Sequence, residues 1–396
     1  MYRLTALIAS VILLLGTSAP AAVAVEPLPE DTFSLPCTSA VLMERESGTV
    51  LYSKNPYEHL SPASVTKEMT LLLVAEAVES GAVGAEDIVT AGARAASMGG
   101  SQIWLEEGER MTVAEMTKCV AVVSANDCSV ALAEHLCGTE EAFARRMNER
   151  AAELGMENTH FTNCTGLFES DEHYSCAYDI AVLSRELLEH GFLRQFTSVW
   201  TDSIRDGAFG LTNTNKLVRS YPGCTGLKTG FTTRAMFCLA ASAEREGTEF
   251  IAVILHADTS QDRFDSAKKL LDFAFANFTA AAPEVGEIPP VAVRLGKQGC
   301  VTVVCPASGR VLVRKTDRGS LTAGIDLPER VDAPVKAGER LGTLVVTAGG
   351  ATVAEWPLVA GETVEAVGLG GLWMSLVRIL CGQSREAVFG LPAGKT

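Results

Sequence analysis

The 396-residue chain is long enough for two or three domains with a sizeable core, and its 47% hydrophobic content is that of a globular protein. A formal net charge of -15 excludes a nucleic-acid partner, because phosphate binding needs a basic face. The eleven cysteines include no C-x-x-C and the six histidines show no ligand spacing, so neither a metal site nor a cofactor is expected, and the thiols read as free, mostly buried apolar side chains.

Residues 1–24 have the pattern of a secretory signal: Arg3, an apolar run from Ala6 to Leu15, and the small residues Ala22-Val23-Ala24. The mature protein is therefore expected outside the cytoplasm. From Thr38 to Lys54 the sequence alternates around Ser47-Gly48, which predicts a β-hairpin. Next comes Ser61-Pro-Ala-Ser64-Val-Thr-Lys67-Glu-Met-Thr70, expected to open an α-helix with Ser61 as N-cap and Pro62 at its first position. Ser64 and Lys67, three apart, share one helical face and pair a nucleophile with a base. Free N–H groups at the helix start suit a developing oxyanion.

Met111 to His135 reads as two helical stretches with Ser124-Ala-Asn126 between them, which places Ser124 and Asn126 at a corner, free to face a cleft. Further helices are expected over Glu141–Gly155 and Ala177–His190, separated by the loop Asn163–His173. Thr225–Thr232 then opens a strand-rich block, followed by Phe237–Ala243, a turn at Arg245–Gly247 and Glu249–His256. Short β segments joined by a tight turn imply an antiparallel sheet, shared with the first hairpin and closed by a helix over Arg263–Phe278. Three prolines mark residues 281–290 as a linker, and 291–360 read as a small all-β domain. Residues 361–383 put Val364, Val367, Leu372, Leu376, Ile379 and Leu380 near one helical face with Trp373 beside them, an amphipathic membrane anchor or, as the alternative, a helix docked on the β domain, ahead of a flexible tail over 384–396.

Three motifs stand in order: Ser64-x-x-Lys67, Ser124-x-Asn126 and Lys228-Thr229-Gly230. With Tyr174-Ser-Cys-Ala-Tyr-Asp179 and Gly226-Leu-Lys-Thr-Gly-Phe-Thr232, they resemble the low-molecular-mass penicillin-binding proteins that are serine-type D-alanyl-D-alanine carboxypeptidases. The resemblance implies an α+β fold: a β-lactamase/transpeptidase-like domain over 25–280, then the small β domain. It implies Ser64 as nucleophile, Lys67 as general base and Ser124 as proton relay. Asn126 would bind the substrate amide, Lys228 and Thr229 its carboxylate, Gly230 would leave room for its backbone, and the N–H groups of Ser64 and Phe231 would form the oxyanion hole. Arg263 would assist carboxylate recognition. The implied partners are the peptidoglycan stem pentapeptide, β-lactam inhibitors and the outer face of the cytoplasmic membrane. Met236 departs from the glycine usual after the Lys-Thr-Gly strand, with a shifted strand or narrowed cleft expected. Among alternatives, a class A β-lactamase lacks support because Glu169 and Glu172 do not form E-x-x-L-N. A D,D-endopeptidase or transpeptidase shares the motifs, and intact motifs argue against a catalytically impaired wall-binding protein.

Overall fold

The structure, a computed structural model, describes residues 21–22, 26–168 and 170–381. Five strands form one antiparallel sheet: β1 (Cys37–Glu44), β2 (Val50–Lys54), β3 (Cys224–Thr232), β4 (Met236–Arg245) and β5 (Thr248–Ala257). Their spatial order is β2-β1-β5-β4-β3, so the chain's first hairpin pairs with strands some 200 residues later and β3 is left at an edge. Alternate residues serve two cores. Val41, Met43, Ile251 and Val253 pack on one side, and Ala40, Leu42, Phe250 and Ala252 on the other. A sheet covered on both faces buries every residue of its central strand, which is why β5 reads as one apolar run.

The longer helices of this unit are α1 (Lys67–Glu79), α2 (Val113–Val123), α3 (Asn126–Cys137), α4 (Glu140–Glu153), α5 (Ala177–Leu187) and α6 (Ser260–Asn277). Phe264, Ala267, Leu270 and Leu271 of α6 cover one face of the sheet. On the other face α1 is buried from Lys67 to Ala75 and packs against α5, α3 and α2. An apolar helix of this kind is stable only at a domain centre.

The stretch around Ser64 differs from the expectation. Ala63–Thr66 form a single 3-10 turn and the α-helix begins only at Lys67. Ser61 does not cap it, since its Oγ is buried without a hydrogen-bond partner. In a 3-10 turn residues i and i+3 eclipse, which stacks Lys67 directly over Ser64. Two antiparallel strand pairs also escaped sequence reading, Ile88–Thr90 with Arg110–Thr112 and Thr201–Ile204 with Phe209–Thr212. Their strands are three or four residues long and mostly exposed, too short for an alternating pattern.

The chain forms two units, residues 26–280 with Leu312–Thr316, and 281–311 with 317 onward. In the second, β6 (Arg340–Ala348) and β7 (Ala351–Ala360) form a hairpin through Gly349 and Gly350, both at positive φ. Thr322–Asp326, not foreseen, pairs with β6, and Val303–Val304 with β7. Residues 282–290 carry no regular structure. All eleven cysteines are free thiols. The last helix, α7 (Leu369–Leu380), excludes two residues assigned to its face: Val364 is buried and pairs with Val335, and Val367 bonds to the Leu295 carbonyl. Apart from Ala21–Ala22, the signal segment and the 384–396 tail lie outside the described residues.

Candidate active site

Lys67 is the centre of the site. Its Nζ lies 2.8 Å from Ser64 Oγ and donates to the Thr165 carbonyl at 2.8 Å. Ser64 is half-buried while Lys67 is buried. Burial, and after it the charge of Lys228, hold the Lys67 ammonium well below its ordinary pKa, which favours a neutral amine beside the hydroxyl. Ala63, just before the nucleophile, sits at φ 47°, a left-handed strain localised at this turn.

The loop after α4 holds this turn from below. Asn163 Oδ1 accepts from the N–H groups of Thr165 and Gly166, fixing the Thr165 carbonyl that receives Lys67. Gly166 has φ +70°, and a Cβ there would lie 1.9 Å from the Ala63 carbonyl oxygen, so only glycine fits. His173 Nδ1 accepts from the Thr162 N–H, leaving Nε2 as the protonated nitrogen facing Thr66 Oγ1 at 2.8 Å. Burial pushes its pKa down to about 4, so the ring is neutral near pH 7.

Ser124 ends α2 in the left-handed conformation, φ 64°, and α3 restarts at Asn126. The Ser124 hydroxyl and the Asn126 Oδ1 are both buried without protein partners, polar atoms that a substrate can satisfy. Asn126 Nδ2 donates to the Gly99 carbonyl, and Asp127 Oδ2 accepts from the N–H groups of Ile103 and Leu105. The 99–105 loop is thereby tied to the corner. Space beside Gly100 is bounded by Asn126 and by Leu167, two residues after Thr165.

The edge strand β3 supplies the third motif. A Cβ on Gly230 would lie 2.7 Å from the Pro62 carbonyl oxygen and 3.1 Å from the Ser64 nitrogen, so β3 runs at backbone contact with the nucleophile turn. Lys228 is buried, its Nζ donating to the Thr229 carbonyl. Burial lowers its pKa to about 7; the Glu68 charge opposes the shift and the Arg263 charge adds to it. Thr229 Oγ1 donates to Thr214 Oγ1 at 2.7 Å. Phe231 is exposed and its ring stacks on Phe237 at 4.4 Å. Arg263 is buried and turned to the main chain, donating to the carbonyls of Gly230 at 2.8 Å and Cys238 at 3.2 Å. Met236 has φ 53° in the β3–β4 turn, which explains the advantage of glycine there as conformational. From Gly226 the β3–β4 register runs unbroken to the Thr232–Met236 pair, so β3 is not shifted against β4 at this turn, contrary to the expectation.

Sequence reading missed Thr165, Gly166, Thr214, Asp127 and the buried Glu68, whose Oε2 accepts from Ser184 Oγ at 2.7 Å. The one available signal was a carboxylate directly after Lys67 in an otherwise apolar helix. Among the described residues Glu76, Glu186 and His190 cluster at metal-ligand distances, but the Arg150 guanidinium already bridges both carboxylates, at 2.7 and 2.6 Å.

An antiparallel sheet between helices, with Ser64 and Lys67 stacked beside an edge strand carrying Lys-Thr-Gly, defines the penicillin-binding, transpeptidase-like class. Residues 25–259 match the family model described as D-alanyl-D-alanine carboxypeptidase, and 285–366 that of the penicillin-binding protein 5 C-terminal domain. D-alanyl-D-alanine carboxypeptidase DacF of Bacillus subtilis is 43% identical over 83% of this chain and 86% of its own length. Penicillin-binding protein 5 of Haemophilus influenzae superposes with a TM-score of 0.77 at 28% identity, covering 86% of this chain and all of that one. Penicillin-binding protein 6B of Escherichia coli gives 0.70 at 30% identity over 84% and 97%. The chain belongs to the D-alanyl-D-alanine carboxypeptidase family and is a serine enzyme of that class, with a C-terminal all-β domain.

Proposed function

We propose that the enzyme removes the terminal D-alanine from peptidoglycan stem pentapeptides through an acyl-enzyme on Ser64. The observation that carries this reading is the 2.8 Å approach of a buried, proton-poor Lys67 amine to the Ser64 hydroxyl. Lys67 takes the hydroxyl proton as Oγ attacks the carbonyl of the penultimate D-alanine. The N–H groups of Ser64 and Phe231 receive the oxyanion. Ser124 passes a proton to the departing D-alanine amine, Asn126 bonds the substrate amide, and Lys228 with Thr229 holds the terminal carboxylate. The exposed edge of β3 offers backbone groups to an extended peptide. Arg263 serves as a positioning residue through the Gly230 carbonyl. Water then hydrolyses the ester. A β-lactam follows the same first step, its amide bond opening while both halves stay joined to Ser64.

The reading extends to location. Residues 1–24 act as an export signal, 25–280 as the catalytic domain, 281–290 as linker and 291–360 as spacer. Of residues 361–383, the helix Leu369–Leu380 lies on the outer face of the cytoplasmic membrane, while Val364 and Val367 hold the preceding stretch to the β domain. Leu369, Trp373, Met374 and Leu380 of α7 are exposed, and among the described residues no helix is long and apolar enough to cross a membrane. Such a helix suits the interface. Truncation after residue 367, which spares the Val364 and Val367 contacts, should move the protein from the membrane to the soluble fraction, and continued pelleting would refute the anchor.

The activity is tested by D-alanine release from a peptide ending in Lys-D-Ala-D-Ala. Ser64→Ala should abolish both release and labelling by fluorescent penicillin. Release that persists in the variant would remove Ser64 from the mechanism.

A further inference from the structure

Apart from the Ser64–Lys67 pair, the catalytic unit carries an open cavity of about 400 Å³ between the 200–220 segment and α6. Three cations line it, Lys216, Arg219 and Lys268, with Trp200 and Phe264 as apolar walls and Gln261 at the rim. Arg219 Cζ lies 5.7 Å from the Trp200 ring centre and Lys216 Nζ 6.0 Å from that of Phe264. In a chain of net charge -15 this is a local reversal of sign. None of the three cations makes an ion pair among the described residues, although Lys268 is half-buried. The carboxylates along α6 accept from neutral donors, one of them Gln261 of the cavity lining itself. Asp262 accepts from Thr259, Asp265 from Gln261 and Asp272 from Tyr221.

The wall is also pre-shaped. Buried Asn213 donates to the Val199 carbonyl and accepts from the Asn215 N–H, and buried Asn215 accepts from the Leu217 N–H. This fixes the backbone from which Lys216 and Arg219 project. Both walls hold the Lys-Thr-Gly strand as well. Thr214, two residues before Lys216, accepts from Thr229, and Arg263, next to Phe264, donates to the Gly230 carbonyl. An occupant of the cavity therefore rests on the two elements that position the substrate-binding strand.

We propose that this cavity binds a phosphoryl group carried on a ring or another apolar moiety. A lone carboxylate would leave two of the three cations uncompensated, whereas a phosphate monoester carries roughly -1.5 to -2 charges and three acceptor oxygens. The Arg219 fork and two lysine point charges match that group, and Trp200 and Phe264 receive the carrier.

Calorimetric titration of the mature protein with inorganic phosphate, glucose 1-phosphate and poly(glycerol phosphate) tests the site. The first arm reads the phosphoryl group alone, and the other two separate a free sugar phosphate from a polymer phosphodiester. Saturable binding of glucose 1-phosphate, the ring-borne monoester, is expected to be tighter than that of the polymer, whose phosphodiesters carry one charge each. It should weaken about tenfold or more in Arg219→Gln and in Lys268→Gln, since each removes a charge-assisted contact. Binding of the polymer alone would overturn the monoester assignment. Arg219 is exposed and Lys268 half-buried, and an unaltered thermal midpoint establishes that each variant is folded. No saturable binding up to roughly 10 mM in any arm, a range that spans weak millimolar affinity, would overturn the proposal. So would binding that the two substitutions leave unchanged.

Discussion

Gly230→Ala adds one methyl group where β3 meets the nucleophile turn. The added Cβ would stand 2.7 Å from the Pro62 carbonyl oxygen, 3.1 Å from Ala63 Cβ and 3.1 Å from the Ser64 nitrogen. Ordinary contact begins near 3.4 Å, so strand and turn must separate by about 0.7 Å. Gly230 does not sit at positive φ, so the backbone itself tolerates alanine and the whole effect is steric. Overpacking of this kind costs ~1–3 kcal/mol of stability. The larger effect falls on the chemistry. The separation moves the Phe231 N–H and the Thr229 hydroxyl relative to Ser64, and a misplacement approaching 1 Å costs on the order of 10²-fold in rate. We expect acylation by fluorescent penicillin, followed by stopped flow, to fall roughly 30- to 100-fold in a protein whose melting curve remains cooperative. Acylation within about threefold of the parent would refute close packing of β3 on the Ser64 turn as the source of catalytic geometry.

Three further outcomes follow from the same geometry. On the proposed mechanism the pH profile of kcat/KM should be bell-shaped: on the acid side Lys67 gains the proton that would disable it as a base, and above about pH 7 Lys228 loses the charge proposed to bind the carboxylate. The alkaline loss should appear in KM more than in kcat, because bound carboxylate keeps Lys228 protonated; a flat KM through pH 9 would contradict this. Met236→Gly relieves a φ of 53° that costs ~1–2 kcal/mol for a side-chain-bearing residue, against ~0.5–1 kcal/mol of glycine entropy. A higher thermal midpoint is expected, and a lower one would mean that Met236 contributes packing. Burial raises the Glu68 pKa from 4.5 to about 8, so the folded state prefers the protonated carboxyl and loses stability as pH rises between those values. Glu68→Gln should therefore gain in melting temperature relative to the parent over that interval, and parallel pH curves would exclude Glu68 as the source of the slope.

Much of the site was legible because its chemistry depends on short spacings. Ser64 and Lys67, Ser124 and Asn126, and Lys228 to Gly230 each lie within four residues of one another, where local geometry decides which side chains meet. The hairpin, α1, the strand-rich block and α6 were legible for a related reason, since each buries a face large enough to impose a period on the sequence. Short exposed strands such as Thr201–Ile204 impose none.

Sequence alone determined the motifs, the order of the main core elements and the class of enzyme. Tertiary structure decided which distant groups complete the site: Thr165, whose carbonyl receives Lys67 across 98 residues, Thr214 beneath Thr229, and the Gly166 and Gly230 backbones that abut the nucleophile turn. It also turned Arg263 toward the Gly230 and Cys238 carbonyls and set Ser64 in a 3-10 turn ahead of the helix. The physical reason is common to all of these. A carbonyl, a glycine or a buried hydroxyl carries no pattern along the chain, and its role arises only when folding brings a second segment within hydrogen-bond or van der Waals distance.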